Sequence, residues 1–158
     1  MLKGFENLPH RPNVAVLVCK DDKFLLVQKP HWGEDSWKLP QGGIDDGEDI
    51  ESAGFRELKE ETGIVSVEAI GVSKYTNTYD WSDDILKTLE YKKYKGQTQS
   101  FLVVKFIGSD SEISPEDSEI SRIEWFSKED IIELSEKGTG TFGEYQGIVP
   151  KIIEEFGL

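Results

Sequence analysis

Residues 42–64, GGIDDGEDIESAGFRELKEETGI, are the most informative stretch of this 158-residue chain. The segment 41–47 carries three glycines and two aspartates, a composition typical of a loop. A helix is predicted to follow, from about Glu48 to Thr62. Gly63 then supplies the left-handed residue that commonly ends a helix. The stretch therefore predicts a loop that leads directly into one amphipathic helix.

Three glutamates share one face of the predicted helix. Because an α-helix turns about 100° per residue, Glu57, Glu60 and Glu61 fall within an arc of about 100°. Carboxylates crowded in this way repel one another unless cations lie against them. The neighbouring cation on the chain is Arg56, and several hard oxygen ligands together suit Mg²⁺ or Mn²⁺. The pattern indicates a metal-binding face, and the alternative is an ordinary solvated helix surface.

The complete pattern resembles the signature motif of the Nudix hydrolases. In that motif a glycine, five residues, Glu, seven residues and Arg-Glu are followed by an aliphatic residue, one residue, Glu-Glu, one residue, a glycine and an aliphatic residue. Every specified position is met, in order, by Gly42, Glu48, Arg56, Glu57, Leu58, Glu60, Glu61, Gly63 and Ile64. A binding domain that kept the motif without the activity is the alternative from another functional class.

The resemblance implies a role for the matching residues. The implied metal ligands are the carboxylates of Glu57, Glu60 and Glu61, with the backbone carbonyl of Gly42 as a further ligand. Arg56 and Glu48 would orient this acidic cluster. The implied activity is Mg²⁺-dependent hydrolysis of a phosphoanhydride bond in a nucleotide polyphosphate, with Mn²⁺ as a possible substitute. Bound cations would activate water and neutralise charge on the leaving phosphate.

The rest of the chain predicts an α/β arrangement of the α+β type. Apolar runs predict strands at residues 13–19, 24–28, 65–72, 98–107 and 123–126, with a hairpin turn at 21–23. Short helices are predicted after Ser127 and around Pro150, and the pattern between 79 and 97 is ambiguous. We expect an α/β/α sandwich with a mixed β-sheet between helices, which is also the fold that the resemblance implies. One domain would span residues 1–158.

Further segments resemble one branch of the family, the asymmetric diadenosine tetraphosphate hydrolases and the bacterial RNA pyrophosphohydrolases. These segments are RPNV at 11–14, WKLPQGGI at 37–44, TYD at 78–80 and KGQTQ at 95–99. The residues that they nominate for substrate binding are Arg11, Lys38, Gln41, Tyr79, Gln97 and Gln99. Plainer interpretations remain open, because the two glutamines could also lie on the exposed side of a strand.

Two features of the second half of the chain bear on the mechanism. Glu119 matches a loop glutamate that assists catalysis or binds metal in relatives, although Glu116 and Asp117 are close neighbours. Relatives also carry a Phe-Lys-Arg stretch that binds phosphate, whereas residues 141–146 here read TFGEYQ. The lysines and histidine that could compensate for the absent basic pair are Lys29, His31, Lys38, Lys92, Lys93 and Lys95.

The net charge of −13 shapes the expected substrate. An acidic surface repels the many phosphates of a transcript, whereas bound metal can neutralise a short phosphate chain. The sequence thus favours diadenosine tetraphosphate, split into ATP and AMP, over an RNA 5′ end or another nucleoside diphosphate derivative. No apolar run suggests a membrane span or a signal peptide, and the single cysteine fits a cytoplasmic location.

Overall fold

The computed structural model describes residues 1–30, 33, 36–115, 120–138 and 140–158. The strands in this part of the chain are β1 (His10–Lys20), β2 (Lys23–Gln28), β3 (Trp37–Lys38), β4 (Gln41–Gly43), β5 (Val67–Asp80), β6 (Gly96–Phe106) and β7 (Arg122–Ser127). The helices are α1 (Ile50–Thr62), α2 (Asp83–Leu86), α3 (Lys128–Lys137) and α4 (Ile148–Glu155). Short 3₁₀ segments cover Asp110–Glu112 and Gly140–Tyr145.

The strands form one mixed sheet around β1. The strand order is β3-β2-β1-β6-β5, with β4 added beside β1 and β7 beside β2. β1 runs parallel to β6, and its other pairings, with β2 and β4, are antiparallel. The predicted hairpin between β1 and β2 is present, with Cys19 opposite Phe24. Because β1 lies at the centre, its residues are buried from Asn13 to Cys19.

Alternate residues of the central strands face two separate cores. Val14, Val16 and Val18 pack with Leu102 and residues of α1 on one face. The other face combines β-strand residues with α3, α4 and the second 3₁₀ segment; its buried members include Ala15, Leu17, Phe101, Val103, Ile131 and Ile152. This alternation follows from the two-residue period of a strand. The predicted α/β/α sandwich with a mixed sheet is confirmed.

Helix α1 is held at both ends by local interactions. The Asp49 side chain accepts a hydrogen bond from the Ser52 backbone N–H at 2.7 Å, which caps the first turn. Gly63 ends the helix with φ 76°, as the sequence predicted. A Cβ atom at Gly54 would overlap the Leu102 side chain, so this glycine lets the helix pack closely on the sheet. The helix begins two residues later than expected, at Ile50.

Two assignments from the sequence were wrong. Residues 41–43 were expected to be loop but form β4, where Gln41 pairs with Ala15 and Gly43 with Asn13. Three residues are too few to show a strand period. The strand expected at residues 65–72 is longer than predicted: β5 begins at Val67 and continues to Asp80, through two irregularities in its pairing with β6. In the described part of the chain, no helix combines the length and apolar character needed to cross a membrane.

Candidate active site

The acidic face of α1 lies directly against β4. A Cβ atom at Gly42 would overlap the Glu57 carboxylate, so only glycine allows this approach of side chain to strand. The next residue of β4, Gly43, faces the opposite way, where a Cβ atom would overlap the Arg11 guanidinium. β4 therefore separates the carboxylates of α1 from a basic side chain that enters from β1.

Arg56 is the central hydrogen-bond donor of the acidic face. Its Nε and Nη2 atoms donate to the two carboxylate oxygens of Glu48, both at 2.8 Å. Nη2 also donates to the backbone carbonyl of Gly43 at 2.9 Å. Nη1 donates to Glu57 Oε1 at 2.8 Å and to Glu60 Oε2 at 3.3 Å. One guanidinium thus connects the loop before α1, the strand β4 and two of the glutamates predicted to bind metal.

These contacts have opposite consequences for two carboxyl groups. The hydrogen bonds from Arg56, together with one from the Asp45 backbone N–H, lower the pKa of Glu48 to about 2. Burial raises the pKa of Glu57, although Arg56 acts against that rise. Because Glu48 stays ionised, it keeps Arg56 in place as a fixed cation beside the less exposed Glu57.

Glu61 lies deeper than the other two glutamates. Its side chain is buried, and Oε1 accepts a hydrogen bond from the Gln41 backbone N–H at 3.1 Å. Among the described residues, its Oε2 atom is the buried side-chain atom that lacks a hydrogen-bond partner. Burial raises the pKa of Glu61, and the positive charge of Lys38 acts in the opposite direction. A buried carboxylate oxygen without a partner is costly unless a cation binds it.

The donor set fits a hard divalent cation. The groups are all carboxylates or carbonyls, one of them has an unpartnered oxygen, and Glu57 and Glu60 each bond Arg56 through a single oxygen. Within residues 1–30, 33, 36–115, 120–138 and 140–158, no three Asp, Glu, His or Cys side chains converge closely enough to form a ready metal cluster. Coordination by all three glutamates would therefore require some movement of their side chains.

A cavity of about 330 Å³ opens on the other side of β4. Its basic residues are Arg11, Lys29 and Lys38, and its aromatic and aliphatic residues include Tyr79, Trp81, Ile85 and Leu89. The strands of the sheet contribute further lining residues, among them Gln41, Gly42 and Gln97. A pocket that combines cations, aromatic rings and apolar side chains suits a phosphorylated nucleoside.

Lys38 is the most buried cation of this cavity. It lies on β3 with 4% of its surface exposed, and burial lowers the pKa of its ammonium group to about 8. The Glu61 carboxylate raises that pKa, whereas the nearby Lys29 lowers it further. Glu144 lies in the 3₁₀ segment that ends at Tyr145; burial raises the pKa of its carboxyl group, and the positive charge of Lys38 acts in the opposite direction. The pocket thus brings two lysines together beside two carboxylates.

The two predicted glutamines are not on an exposed surface. Gln97 is 8% exposed and Gln99 is 1% exposed, which excludes the plainer interpretation of these residues. Gln97 Nε2 donates to the Tyr79 hydroxyl at 2.6 Å, and Gln99 Nε2 donates to Gln41 Oε1 at 3.2 Å. Four of the six residues predicted to bind substrate are therefore joined by hydrogen bonds, and all but Gln99 line the cavity.

Some predicted residues lie elsewhere. Lys95 donates to the backbone carbonyl of Glu6, and Lys92 lies over the Phe5 ring, so both support the N-terminal segment rather than line the cavity. Lys93 lies over the Tyr94 ring and is likewise absent from the cavity wall. The predictions made for Glu119, its neighbours Glu116 and Asp117, and His31 fall outside the described residues.

Several pocket residues were missed by the sequence analysis. Asn13 lies on the same face of β1 as Arg11, a relation that the two-residue strand period would have revealed. Tyr145 is buried, donates to Gln41 Oε1 at 2.6 Å and accepts from the Leu39 N–H. Trp81 lines the cavity from the segment that the sequence left ambiguous. No local pattern signals Tyr145 or Trp81, because tertiary packing alone brings them to the pocket.

Comparison with known proteins places this geometry in a family. The family model described as NUDIX domain matches residues 9–145. The chain is 35% identical over 141 residues to an RNA pyrophosphohydrolase of Novosphingobium aromaticivorans, covering 85% of this chain and 88% of that protein. It is 36% identical over 131 residues to an RNA pyrophosphohydrolase of Pelagibacter ubique, covering 81% of this chain and 83% of that protein.

A solved structure resembles the fold as a whole. The C. elegans Ap4A hydrolase, determined as a binary complex, superposes with a TM-score of 0.61. The match covers 91% of this chain and 96% of that chain at 20% sequence identity. At this identity the similarity establishes the shared fold only.

Proposed function

We propose that this chain, which belongs to the Nudix family of hydrolases and is a pyrophosphohydrolase, acts on the 5′-triphosphate end of RNA. The observation that carries the substrate assignment is the match to two RNA pyrophosphohydrolases over more than four fifths of each chain. The preference that the net charge suggested, for diadenosine tetraphosphate, therefore becomes the second candidate.

The proposed reaction uses both sides of β4. Glu57, Glu60 and Glu61 hold Mg²⁺, or Mn²⁺, with the Gly42 carbonyl as a further ligand. When bound, these cations supply an activated water molecule and neutralise the charge that develops on the cleaved phosphate. The orphaned Oε2 atom of Glu61 and the glycine that admits Glu57 to the strand support this assignment.

The protein's own cations position the substrate. Arg11, Lys29 and Lys38 bind oxygens of the triphosphate from the cavity side of β4. Tyr79 and Trp81 contact the first nucleoside, whose base has an aromatic face available for stacking. Arg56 and Glu48 do not touch substrate in this proposal, since their hydrogen bonds hold the metal-binding glutamates.

A specific observation supports the second candidate. The basic pair that relatives use near the C-terminus is absent, and Glu144 lines the cavity in that region. A carboxylate there disfavours a substrate with many phosphates, and the net charge of −13 acts in the same direction. Diadenosine tetraphosphate, with its short phosphate chain, is less affected by both.

The two candidates are separated by kcat/KM values measured at one salt concentration with Mg²⁺. The substrates are a 5′-triphosphorylated RNA oligonucleotide and diadenosine tetraphosphate, with the 5′-monophosphorylated RNA as the matched control. We expect the triphosphorylated RNA to be preferred, with RNA 5′-monophosphate as the product. A preference for diadenosine tetraphosphate, yielding ATP and AMP, would reverse the assignment and leave the reaction class unchanged. Turnover of neither substrate would contradict both candidates.

A further inference from the structure

Side-chain amides connect the nucleoside end of the cavity with the carboxylate end. We call Asn13, Gln41, Gln97 and Gln99 the amide network. At the nucleoside end, Gln97 Nε2 donates to the Tyr79 hydroxyl at 2.6 Å. Gln97 Oε1 accepts from Asn13 Nδ2 at 3.1 Å. The first half of the amide network thus links the cavity wall to the central strand β1.

The second half of the amide network reaches the acidic face. Gln99 Nε2 donates both to Asn13 Oδ1 at 3.1 Å and to Gln41 Oε1 at 3.2 Å. The backbone N–H of Gln41 in turn donates to Glu61 Oε1 at 3.1 Å. Hydrogen bonds and one short piece of backbone therefore form a continuous path from Tyr79 to the buried carboxylate of Glu61.

Gln99 lies in the middle of this path and makes three hydrogen bonds through its side-chain amide. Its amide N–H groups serve Asn13 and Gln41, and its Oε1 accepts from Asn77 Nδ2 at 3.1 Å. Both donor sites and one acceptor site of the amide are thus used. Gln99 is 1% exposed, so water cannot readily replace a lost partner. A buried network whose members are all bonded is rigid, and breaking one member leaves its neighbours unsatisfied.

We propose that Gln99 is a positioning residue. It holds the Gln41 side chain, and the Gln41 N–H in turn holds the Glu61 carboxylate at a fixed position relative to Tyr79 at the nucleoside end of the cavity. The inference rests on the metal role proposed for Glu61 and not on the choice between RNA and diadenosine tetraphosphate. Without Gln99, Gln41 Oε1 keeps the bond from the Tyr145 hydroxyl at 2.6 Å but loses its connection to β6, so β4 holds Glu61 less firmly. Metal affinity then falls although no metal ligand has changed.

The strands provide a matched control. Thr98 lies between Gln97 and Gln99 on β6, faces the other way, and bonds the Thr78 hydroxyl at 3.0 Å across the same strand pair. Thr98→Val therefore removes a cross-strand hydrogen bond without touching the amide network. Mn²⁺ binding to the full chain is measured by isothermal titration calorimetry with no nucleotide present.

We expect Gln99→Leu to weaken Mn²⁺ affinity by about tenfold, the lower end of the range typical of losing a direct hydrogen-bond partner of a metal ligand, because Gln99 acts on Glu61 through Gln41. Thr98→Val is expected to bind Mn²⁺ as the wild type does. Equal affinities for Gln99→Leu and the wild type would overturn the positioning role. A wild type that binds no Mn²⁺ would instead refute the proposed metal site.

Two more variants keep the test decisive. Gln41→Met removes the same link, together with the bond from the Tyr145 hydroxyl, at a less buried position. It should lose at least as much Mn²⁺ affinity, which keeps the test available if Gln99→Leu fails to fold. Gln97→Leu cuts the path at the nucleoside end. KM for the nucleotide substrate should therefore rise at saturating Mg²⁺, whereas Mn²⁺ affinity should change by less than about twofold. Equal losses of Mn²⁺ affinity in Gln97→Leu and Gln99→Leu would show general disruption and overturn the proposal.

Discussion

The two halves of one sheet face differ in chemistry although they belong to the same strands. Along β1 this face carries Arg11 and Asn13, and then Ala15, Leu17 and Cys19. Along β6 it changes in the same way from glutamine to apolar residues, with Gln97 and Gln99 before Phe101 and Val103. The parallel register places Asn13 beside Gln99 and Leu17 beside Val103, so the change occurs at one level of the sheet.

The difference separates recognition from stability. The apolar half is covered by α3 and α4, and burial of its side chains stabilises the fold without any directional requirement. The polar half is equally buried at Asn13 and Gln99, but each amide must find its partner there. Variants in the apolar half should therefore change the free energy of unfolding, whereas variants at the site should change metal affinity or turnover.

The largest effect is expected at the buried carboxylate beside the polar half. Glu61→Gln removes a negative charge that binds and neutralises the metal cations, so kcat should fall on the order of 10²- to 10⁴-fold at saturating Mg²⁺. The free energy of unfolding should change little, because relief of a buried carboxylate with an unpartnered oxygen is offset by loss of the negative charge beside the buried Lys38 ammonium. Steady-state kinetics and urea unfolding measure the two quantities. Wild-type turnover in Glu61→Gln would remove Glu61 from the site.

A variant of the apolar half should give the converse result. Leu17→Ala leaves a cavity in a fully buried cluster and should cost about 2–5 kcal/mol of unfolding free energy. Mn²⁺ affinity of the folded fraction should match that of the wild type, because Leu17 lies beyond the amide network on β1. Urea unfolding and calorimetry test both statements. A tenfold loss of Mn²⁺ affinity, an order-of-magnitude criterion, would show that the two halves are coupled.

Much of the fold and part of the candidate site could be predicted from the sequence. The strand runs at 13–19 and 98–107 and the helix before Gly63 follow from apolar periodicity and a glycine stop, and all three elements lie within a few residues of the predicted bounds. The carboxylate helix was identified because Glu57, Glu60 and Glu61 recur at helical spacing. Such signals are local, since each depends only on neighbours along the chain.

The remainder depends on contacts between distant segments. β4 was assigned to a loop because only pairing with β1 makes residues 41–43 extended. Tyr145 reaches Gln41 from more than 100 positions away, and no local pattern encodes that approach. The burial of Lys38 likewise follows from covering by other elements, since a lysine in a short strand is ordinarily exposed.

Arg56 offers a smaller and more specific test of the acidic face. A lysine cannot make the paired bonds to Glu48 and also reach the Gly43 carbonyl and Glu57, because it has one nitrogen on a flexible stem. Arg56→Lys should therefore weaken Mn²⁺ affinity by about tenfold, with little change in substrate KM. Lys59→Arg, the reverse exchange at an exposed position of the same helix, is the control. Unchanged Mn²⁺ affinity in Arg56→Lys would contradict the orienting role.

The smallest expected effect is the pH dependence of the bond between Glu48 and Arg56. The hydrogen bonds from Arg56 and the Asp45 N–H lower the pKa of Glu48 from 4.5 to about 2. A carboxyl group whose pKa is lower in the folded state stabilises the fold above its unfolded pKa. That contribution is lost as the pH falls through the interval from about 4.5 to about 2. Glu48→Gln should consequently unfold more easily than the wild type at pH 7, and the difference should shrink across this interval.

Glu112 is a control for Glu48, because its carboxyl group also has a lowered pKa but makes no bond to Arg56. Its carboxylate accepts from the Val65 and Ser66 N–H groups, which also lower its pKa, and these bonds involve none of the three glutamates proposed to bind metal. Thermal unfolding of Glu112→Gln should therefore show the same sign of pH dependence as Glu48→Gln. Of these two variants, only Glu48→Gln should lose Mn²⁺ affinity at pH 7, because Glu48, unlike Glu112, bonds the guanidinium that orients Glu57 and Glu60. Equal Mn²⁺ affinities in the two variants would mean that Glu48 stabilises the loop before α1 and does not act on the metal-binding glutamates.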